Sequence, residues 1–268
     1  MTLKYFDTTN LSPFVEELFF LKFSKDAIPF ESTILPICVT SITYIYSYGQ
    51  SFVFKEKRTP LNGLTVTGQF YESYQFQVKE EGYSIGINFH PTALHKLTNL
   101  NIHKIKNKHL PLEIFAPELF ELLQPIFIKK IDDIDLIIKS IKETILKIPI
   151  VVNKTISQID TLIDIIHKKE GMLNTYELLD NVDFSQKTLE THFKKIVGLT
   201  PGKYIRLYRF LKLMRKYEGK EIDLKDLIYM YNYYDHSHFR KDFRYFMKQS
   251  PKQYFKTEHP FLNEYLNK

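Results

Sequence analysis

Residues 185–204 read SQKTLETHFKKIVGLTPGKY, and 50 residues further on residues 235–254 read DHSHFRKDFRYFMKQSPKQY. Leu189, Phe193, Lys194, Thr200, Pro201 and Tyr204 therefore stand opposite Phe239, Phe243, Arg244, Ser250, Pro251 and Tyr254. Each copy opens with Ser185 or Asp235, whose short oxygen-bearing side chain can accept from the free N–H groups of a first helical turn. Two apolar anchors four residues apart follow, then a cation, then Thr/Ser-Pro-x-x-Tyr. A unit written twice at a fixed offset is one supersecondary element made twice. A short helix, a tight turn and a second helix with a basic outer face is the plan of a helix-turn-helix.

Working outward, Asn174-Thr175-Tyr176-Glu177 has the form of a capping box and predicts a helix containing Leu178 and Leu179. The turn is expected at Asn181–Phe184. The helix capped by Ser185 runs to Val197, with Leu189, Phe193 and Val197 inward, and Gly198 ends it. Pro201 starts a long helix through about Tyr217, roughly 25 Å at 1.5 Å per residue. The second copy runs from Asp223 through Tyr231, turns at Asn232–Tyr234 and resumes at Asp235, with Phe239 and Phe243 inward. Lys248 stands where the first copy has Gly198, and a lysine takes the left-handed conformation poorly.

The first 90 or so residues carry strand signals. Tyr74–Val78 alternates with period two, and Ile42–Tyr46 and Leu64–Thr67 are rich in β-branched and aromatic residues. Breakers at Pro36, Gly49, Pro60, Asn62-Gly63, Gly68 and Gly82 punctuate them, which predicts a small sandwich or barrel. After His90-Pro91 a short helix through Leu97 is expected. Residues from about Pro117 to Leu146 read as helical, with Ile134, Ile137, Ile138, Ile141 and Ile145 on one stripe and Asp132 or Asp133 as cap. Ile156, Ile159, Leu162, Ile163 and Ile166 stripe a further helix ending near Gly171. The fold class is thus α+β in two domains: residues 1–150, a β-sandwich or barrel with connecting helices, and residues 151–268, all-α, with two helix-turn-helix units joined by a linker helix.

Charge divides the chain at the same place. Residues 1–153 hold 16 Lys+Arg and 16 Asp+Glu, whereas residues 154–256 hold 20 against 13, so the basic excess lies on the duplicated segment. A positive domain beside a neutral one points to a polyanion partner for the first. Cys38 is the single cysteine and cannot form an internal disulfide, so a reducing, cytoplasmic setting is expected. The apolar run Phe14–Phe23 carries Glu16, Glu17 and Lys22 and is too short to span a bilayer.

These residues carry a family resemblance. Residues 154–256 resemble the DNA-binding domain of the AraC-type transcriptional regulators. The resemblance rests on Ser185-x-x-x-Leu189-x-x-x-Phe193-Lys194, Gly198-Leu199-Thr200-Pro201, Arg206 and Arg209, and Tyr233 to Arg244 with Ser250-Pro251-x-x-Tyr254. The stretch Gly86–Pro91 is faintly similar to the small β-domains upstream in some members. What the resemblance implies is a regulator that inserts two recognition helices into adjacent major-groove segments of double-stranded DNA. The side chains expected at that surface are Gln186, Lys187, Glu190, Thr191, Lys194 and Lys195, with His236, Ser237, Arg240, Lys241 and Arg244 in the second unit. Lys194 and Arg244, at the far end of each helix, are expected at phosphates, and Lys187, at the leading end, at bases. A small-molecule effector in the amino-terminal domain, a homodimer, and RNA polymerase as the partner of an activator all remain open. No cofactor and no membrane are expected.

Two other classes of protein make different demands on the sequence. An enzyme on the β-domain would need a catalytic or metal constellation. His90, His95, His103 and His109 have spacings of 5, 8 and 6, none of them that of a helical metal pair. Cys38, read as part of a hydrophobic strand, has no partner for nucleophilic catalysis, so neither catalytic nor metal residues are assigned. A protein-interaction module whose helix-turn-helix units no longer touch DNA would have little use for the excess cations.

Overall fold

The computed structural model describes residues 1–12, 14–128, 133–219, 222–257 and 259–266. Ten strands come first: β1 Thr2–Phe6, β2 Val15–Phe23, β3 Phe30–Ile34, β4 Thr40–Tyr46, β5 Gln50–Phe54, β6 Lys57–Pro60, β7 Gly63–Thr67, β8 Tyr74–Val78, β9 Gly82–Phe89 and β10 His109–Pro111. They make two antiparallel sheets, of order β1-β2-β9-β4-β7-β10 and β3-β8-β5-β6. The sandwich expected from the sequence is therefore present.

Alternation along the larger sheet sorts its side chains onto two surfaces. Leu18 and Phe20 of β2, Ile42 of β4, Leu64 and Val66 of β7, and Ile85 and Ile87 of β9 pack in one core. The helices α1 Ala93–Thr98, α2 Leu112–Phe115, α3 Pro117–Ile128 and α4 Ile134–Lys147 cover it. The intervening residues Phe19, Leu21, Thr43, Thr65, Ser84 and Asn88 face the other way, onto a cavity of about 180 Å³ that the smaller sheet closes through Gln50, Tyr74 and Phe76. In α4, Ile137, Ile138, Ile141 and Ile145 are buried as the stripe requires. Asp133 caps it, accepting from Leu136 N–H; the alternative cap, Asp132, lies outside the described residues. Cys38 departs from its expected strand. It is buried between β3 and β4 with φ 61°, and burial pushes its thiol well above the usual range.

The rest is helical: α5 Lys154–Lys168, α6 Thr175–Leu179, α7 Gln186–Val197, α8 Pro201–Glu218, α9 Leu224–Met230, α10 His236–Met247, α11 Pro251–Tyr254 and α12 Pro260–Leu266. Their core joins Ile159, Leu162, Phe193, Phe210, Phe243 and Tyr254, and takes in Leu35, Cys38 and Tyr71 from the β-rich part. The last helix, α12, returns to that part, where Phe261 meets Phe30 edge-on and Phe261 and Tyr265 line the cavity. Among the described residues no helix is long and apolar enough to cross a membrane.

Candidate nucleic-acid interface

Each unit is built as its caps dictate. Asn174 and Glu177 form the reciprocal capping box of α6. Ser185 accepts from Thr188 N–H at 3.2 Å to start α7, and Asp235 accepts from His238 N–H at 2.7 Å to start α10. Helix α7 ends at Gly198, with φ 99°, and α10 ends at Lys248, with φ 57°. The left-handed turn is thus kept where the sequence offers a lysine. The ammonium of Lys248 is held 2.6 Å from Glu72, so a contact from the β-rich part offsets the backbone cost.

The inner faces of both helices are closed. Leu189, Phe193 and Val197 are buried in α7, as are Phe239 and Phe243 in α10. The outer faces hold the residues expected at the surface. Gln186, Lys187, Thr191, Lys195, His236, Ser237, Arg240, Lys241 and Arg244 are exposed, while Glu190 and Lys194 are half-buried. The Thr191 hydroxyl is turned back on its own helix, donating to Lys187 O at 2.9 Å. Among the described residues, none of the six cations of this set has a carboxylate within ion-pair distance. Two patches of cations without ion-pair partners among the described residues therefore lie on α7 and α10.

One continuous helix, α8, joins the units. Its attachment to α10 is a buried charge cluster; Arg206 and Arg209 belong to the sequence motif, but their convergence on Asp242 does not show in it. Asp242 points inward from α10 with no exposed surface. Arg206 of α8 donates to its Oδ1 through Nε at 2.7 Å and also through Nη2, and Arg209 approaches Oδ2 at 3.8 Å. The Tyr233 hydroxyl donates to the same Oδ2 at 3.2 Å. Both guanidiniums lie over rings, Arg206 over Tyr245 and Phe246 and Arg209 over Tyr233. Arg206 and Arg209 thus orient the second helix from within, and the signal was an acid inside an otherwise basic motif.

The β-rich part grips the far ends of both outer helices. The Gly198 carbonyl that ends α7 lies 2.7 Å from His103 Nδ1, and a Cβ on Gly198 would come within 3.3 Å of Gln69. At the end of α10, Ser73 N–H donates to Phe246 O at 2.6 Å, and Tyr71 meets Phe246 edge-on. The four histidines weighed as a metal group do not converge: His95 binds Leu100 O, His103 binds Gly198 O, His109 faces the cavity beside Thr67, and His90 lies near His167.

Residues 178–257 match a family described as a helix-turn-helix domain, and residues 5–111 match one described as a domain of unknown function (DUF6597). The carboxy-terminal part is a helix-turn-helix domain. It lies on the segment whose sequence motifs resemble the AraC-type domain. No curated protein matches the chain. Among solved structures, the chain is similar to ToxT from Vibrio cholerae O395 bound to (E)-4-(8-methylnaphthalen-1-yl)but-3-enoic acid, at 13% identity and a TM-score of 0.48, covering 88% of this chain and 97% of that one. It is also similar to unsaturated fatty acid-bound wild-type ToxT from Vibrio cholerae strain SCE256, at 13% identity and a TM-score of 0.46, covering 88% and 93%.

Proposed function

We propose that the chain is a transcriptional regulator that places α7 and α10 in adjacent major-groove segments of double-stranded DNA, and that it is not an enzyme. One observation carries this reading: two capped helices on one rigid linker turn apolar faces inward and unpaired cations outward. Residues 1–150 act as the sensing or dimerising domain and residues 151–268 as the DNA-binding domain. Lys194 and Arg244 meet phosphates, and Lys187 reaches bases from the leading end of α7. Replacing Lys194 and Arg244 together by alanine should weaken binding to every DNA sequence alike. The slope of log affinity against log salt should fall by roughly two units, near 0.9 per lost contact. A gel shift over a salt series measures it, and a loss confined to one sequence with an unchanged slope would reverse the orientation.

The cavity supports a small, largely apolar effector with a polar end. Its walls are chiefly apolar, with Leu3, Phe19, Leu21 and Phe76 among them, yet Gln50 Nε2 and His109 Nε2 lie buried there without a hydrogen-bond partner. A ligand bearing one acceptor would satisfy an amide donor that is otherwise costly to bury. The segment from Gly68 to Tyr74 would relay occupancy, since Phe70 and Tyr74 line the cavity while Tyr71 and Ser73 hold the end of α10.

His109 also predicts a pH effect. Burial pushes its imidazole down to about 3, so it is neutral in the folded chain. An unfolded imidazole takes up a proton near 6.5, so this group's contribution is complete above that value and is lost as pH falls toward 3. Moving from pH 7 to pH 5 should therefore cost about 2 kcal/mol of stability through His109 alone. Denaturant melts of His109→Gln at both pH values should show that much less pH dependence than wild type. An equal dependence would mean that the imidazole is protonated in the folded state.

A further inference from the structure

Where β2 enters the larger sheet, one residue is extra. Val15 pairs with Phe89 and Glu17 with Asn88, which leaves Glu16 in a β-bulge with no partner across the ladder. A bulge re-aims the side chain it carries. The next residue of β9's exit, His90, is fixed beside it, because His90 N–H donates to Phe14 O at 2.9 Å. From the helical part, the last turn of α5 supplies His167. One ligand atom from each of Glu16, His90 and His167 lies within 4.8 Å of the other two.

We infer that Glu16, His90 and His167 form a site for a first-row divalent transition metal of the zinc class, bridging the β-rich part and the first helix of the DNA-binding part. Two imidazoles and one carboxylate suit zinc or its neighbours and not calcium or magnesium, which take oxygen donors. Three protein ligands leave a position for water. An equilateral triangle of that side has its centre about 2.8 Å from each corner, against metal–ligand distances of about 2.0–2.1 Å. At that limit each donor must close by about 0.7 Å, so the two imidazoles must draw together as the exposed Glu16 side chain swings in.

The rings are supported from behind, as metal-binding histidines are. Thr92 donates its hydroxyl proton to Asp160 Oδ1 at 2.6 Å, so its oxygen can only accept from His90 Nδ1, 3.3 Å away. That arrangement puts the proton on Nδ1 and the lone pair on Nε2. His167 has Nε2 2.9 Å from the buried Tyr204 hydroxyl, and its ring is stacked on Tyr208 with centroids 4.3 Å apart. Charges around the site are mixed: Glu17, then Arg215 and Lys212, act on Glu16, Lys212 acts on His167, and Lys96 acts on His90, with Asp160 and Asp164 countering there. With three protein ligands and opposing cations nearby, binding weaker than that of a structural zinc is expected. Because α5 packs on α7, occupancy would set how the first recognition helix is held against the β-rich part.

The test uses the full chain, freed of metal by a chelator and titrated with Zn²⁺ by calorimetry and with Co²⁺ by visible absorption. One metal per chain is expected, with Glu16→Gln weakening Zn²⁺ binding at least tenfold while leaving the thermal melt unchanged. His90→Gln and His167→Gln should abolish it. Absence of saturable binding, or binding indifferent to Glu16→Gln, overturns the site. Should the histidine variants fail to fold, imidazole nitrogen correlations of the wild-type chain decide: Zn²⁺ must shift the His90 and His167 rings, and shifts confined to other histidines refute the assignment. None of these readouts involves DNA, so the site stands or falls apart from the regulatory reading.

Discussion

Alanine in place of Asp242 should destabilise the chain by about 3–5 kcal/mol, because it strips two converging guanidiniums of the fully buried carboxylate they share. Arg206 and Arg209 both converge on that carboxylate, and their side chains are only 39% and 15% exposed. Water cannot fully replace the lost partner for either. Tyr233 would also lose the acceptor of its hydroxyl, which is buried. Asp242→Asn keeps the shape and one acceptor, so roughly half that loss is expected. A thermal melt should fall by about 10 °C for the alanine variant, at a few degrees per kcal/mol for a chain of this size. DNA footprinting should show the second half-site fading before the first, since α10 alone depends on the cluster. A variant within about 1 kcal/mol of wild type would show that the charges were solvated rather than buried.

Much of this architecture could be read from local chemistry. Ser185, Asp235, Asn174 with Glu177, and Gly198 act in the structure as the caps and stop that their side chains or lack of one suggest. The isoleucine stripes of α4 and α5 are buried where their spacing places them. The strands at Ile42–Tyr46, Leu64–Thr67 and Tyr74–Val78 are also present. Strand β2 was hidden for a physical reason. Leu18 and Phe20 face the helix-covered core while Phe19 and Leu21 face the cavity, so both surfaces are apolar and the period-two signal vanishes. Cys38 was misplaced because an apolar neighbourhood does not announce a left-handed backbone.

What stayed illegible is what the chain assembles from distant parts. Asp242 looks like one acid among bases until α8 is laid across it. The cavity draws on both sheets and on α12, and Glu16, His90 and His167 meet only because a bulge, a strand exit and a helix end coincide. His90, His95, His103 and His109 lack metal-ligand spacing along the chain, and the partner that the fold brings to His90 lies 77 positions away. Even the lysine at a glycine position is explained only by its ion pair with Glu72 from the other part of the chain.

Rigid spacing between the readers gives the other large effect. Helix α8 runs unbroken from Pro201 to Glu218, about 27 Å at 1.5 Å per residue. The units it joins are fixed twice over: the Asp242 cluster ties α10 to α8, and the β-rich part holds the ends of α7 and α10, through His103 on Gly198 O and Ser73 on Phe246 O. On a site selected from randomised DNA, inserting five base pairs between the half-sites turns the second one by about half a turn. Helix α10 would then face the wrong side of the duplex, and the contacts of Arg240, Lys241 and Arg244 would be lost. At about 0.9 counterions per contact, three lost contacts weaken binding about a hundredfold near 0.15 M salt. Inserting a full turn restores the face but opens the gap by about 34 Å, more than the whole length of α8. Affinity should therefore stay low in both cases, with the footprint shrinking to one half-site. Recovery at the full turn, on otherwise identical DNA, would mean that the units are flexibly tethered, and the doubly fixed linker would have to be abandoned while DNA binding itself survived.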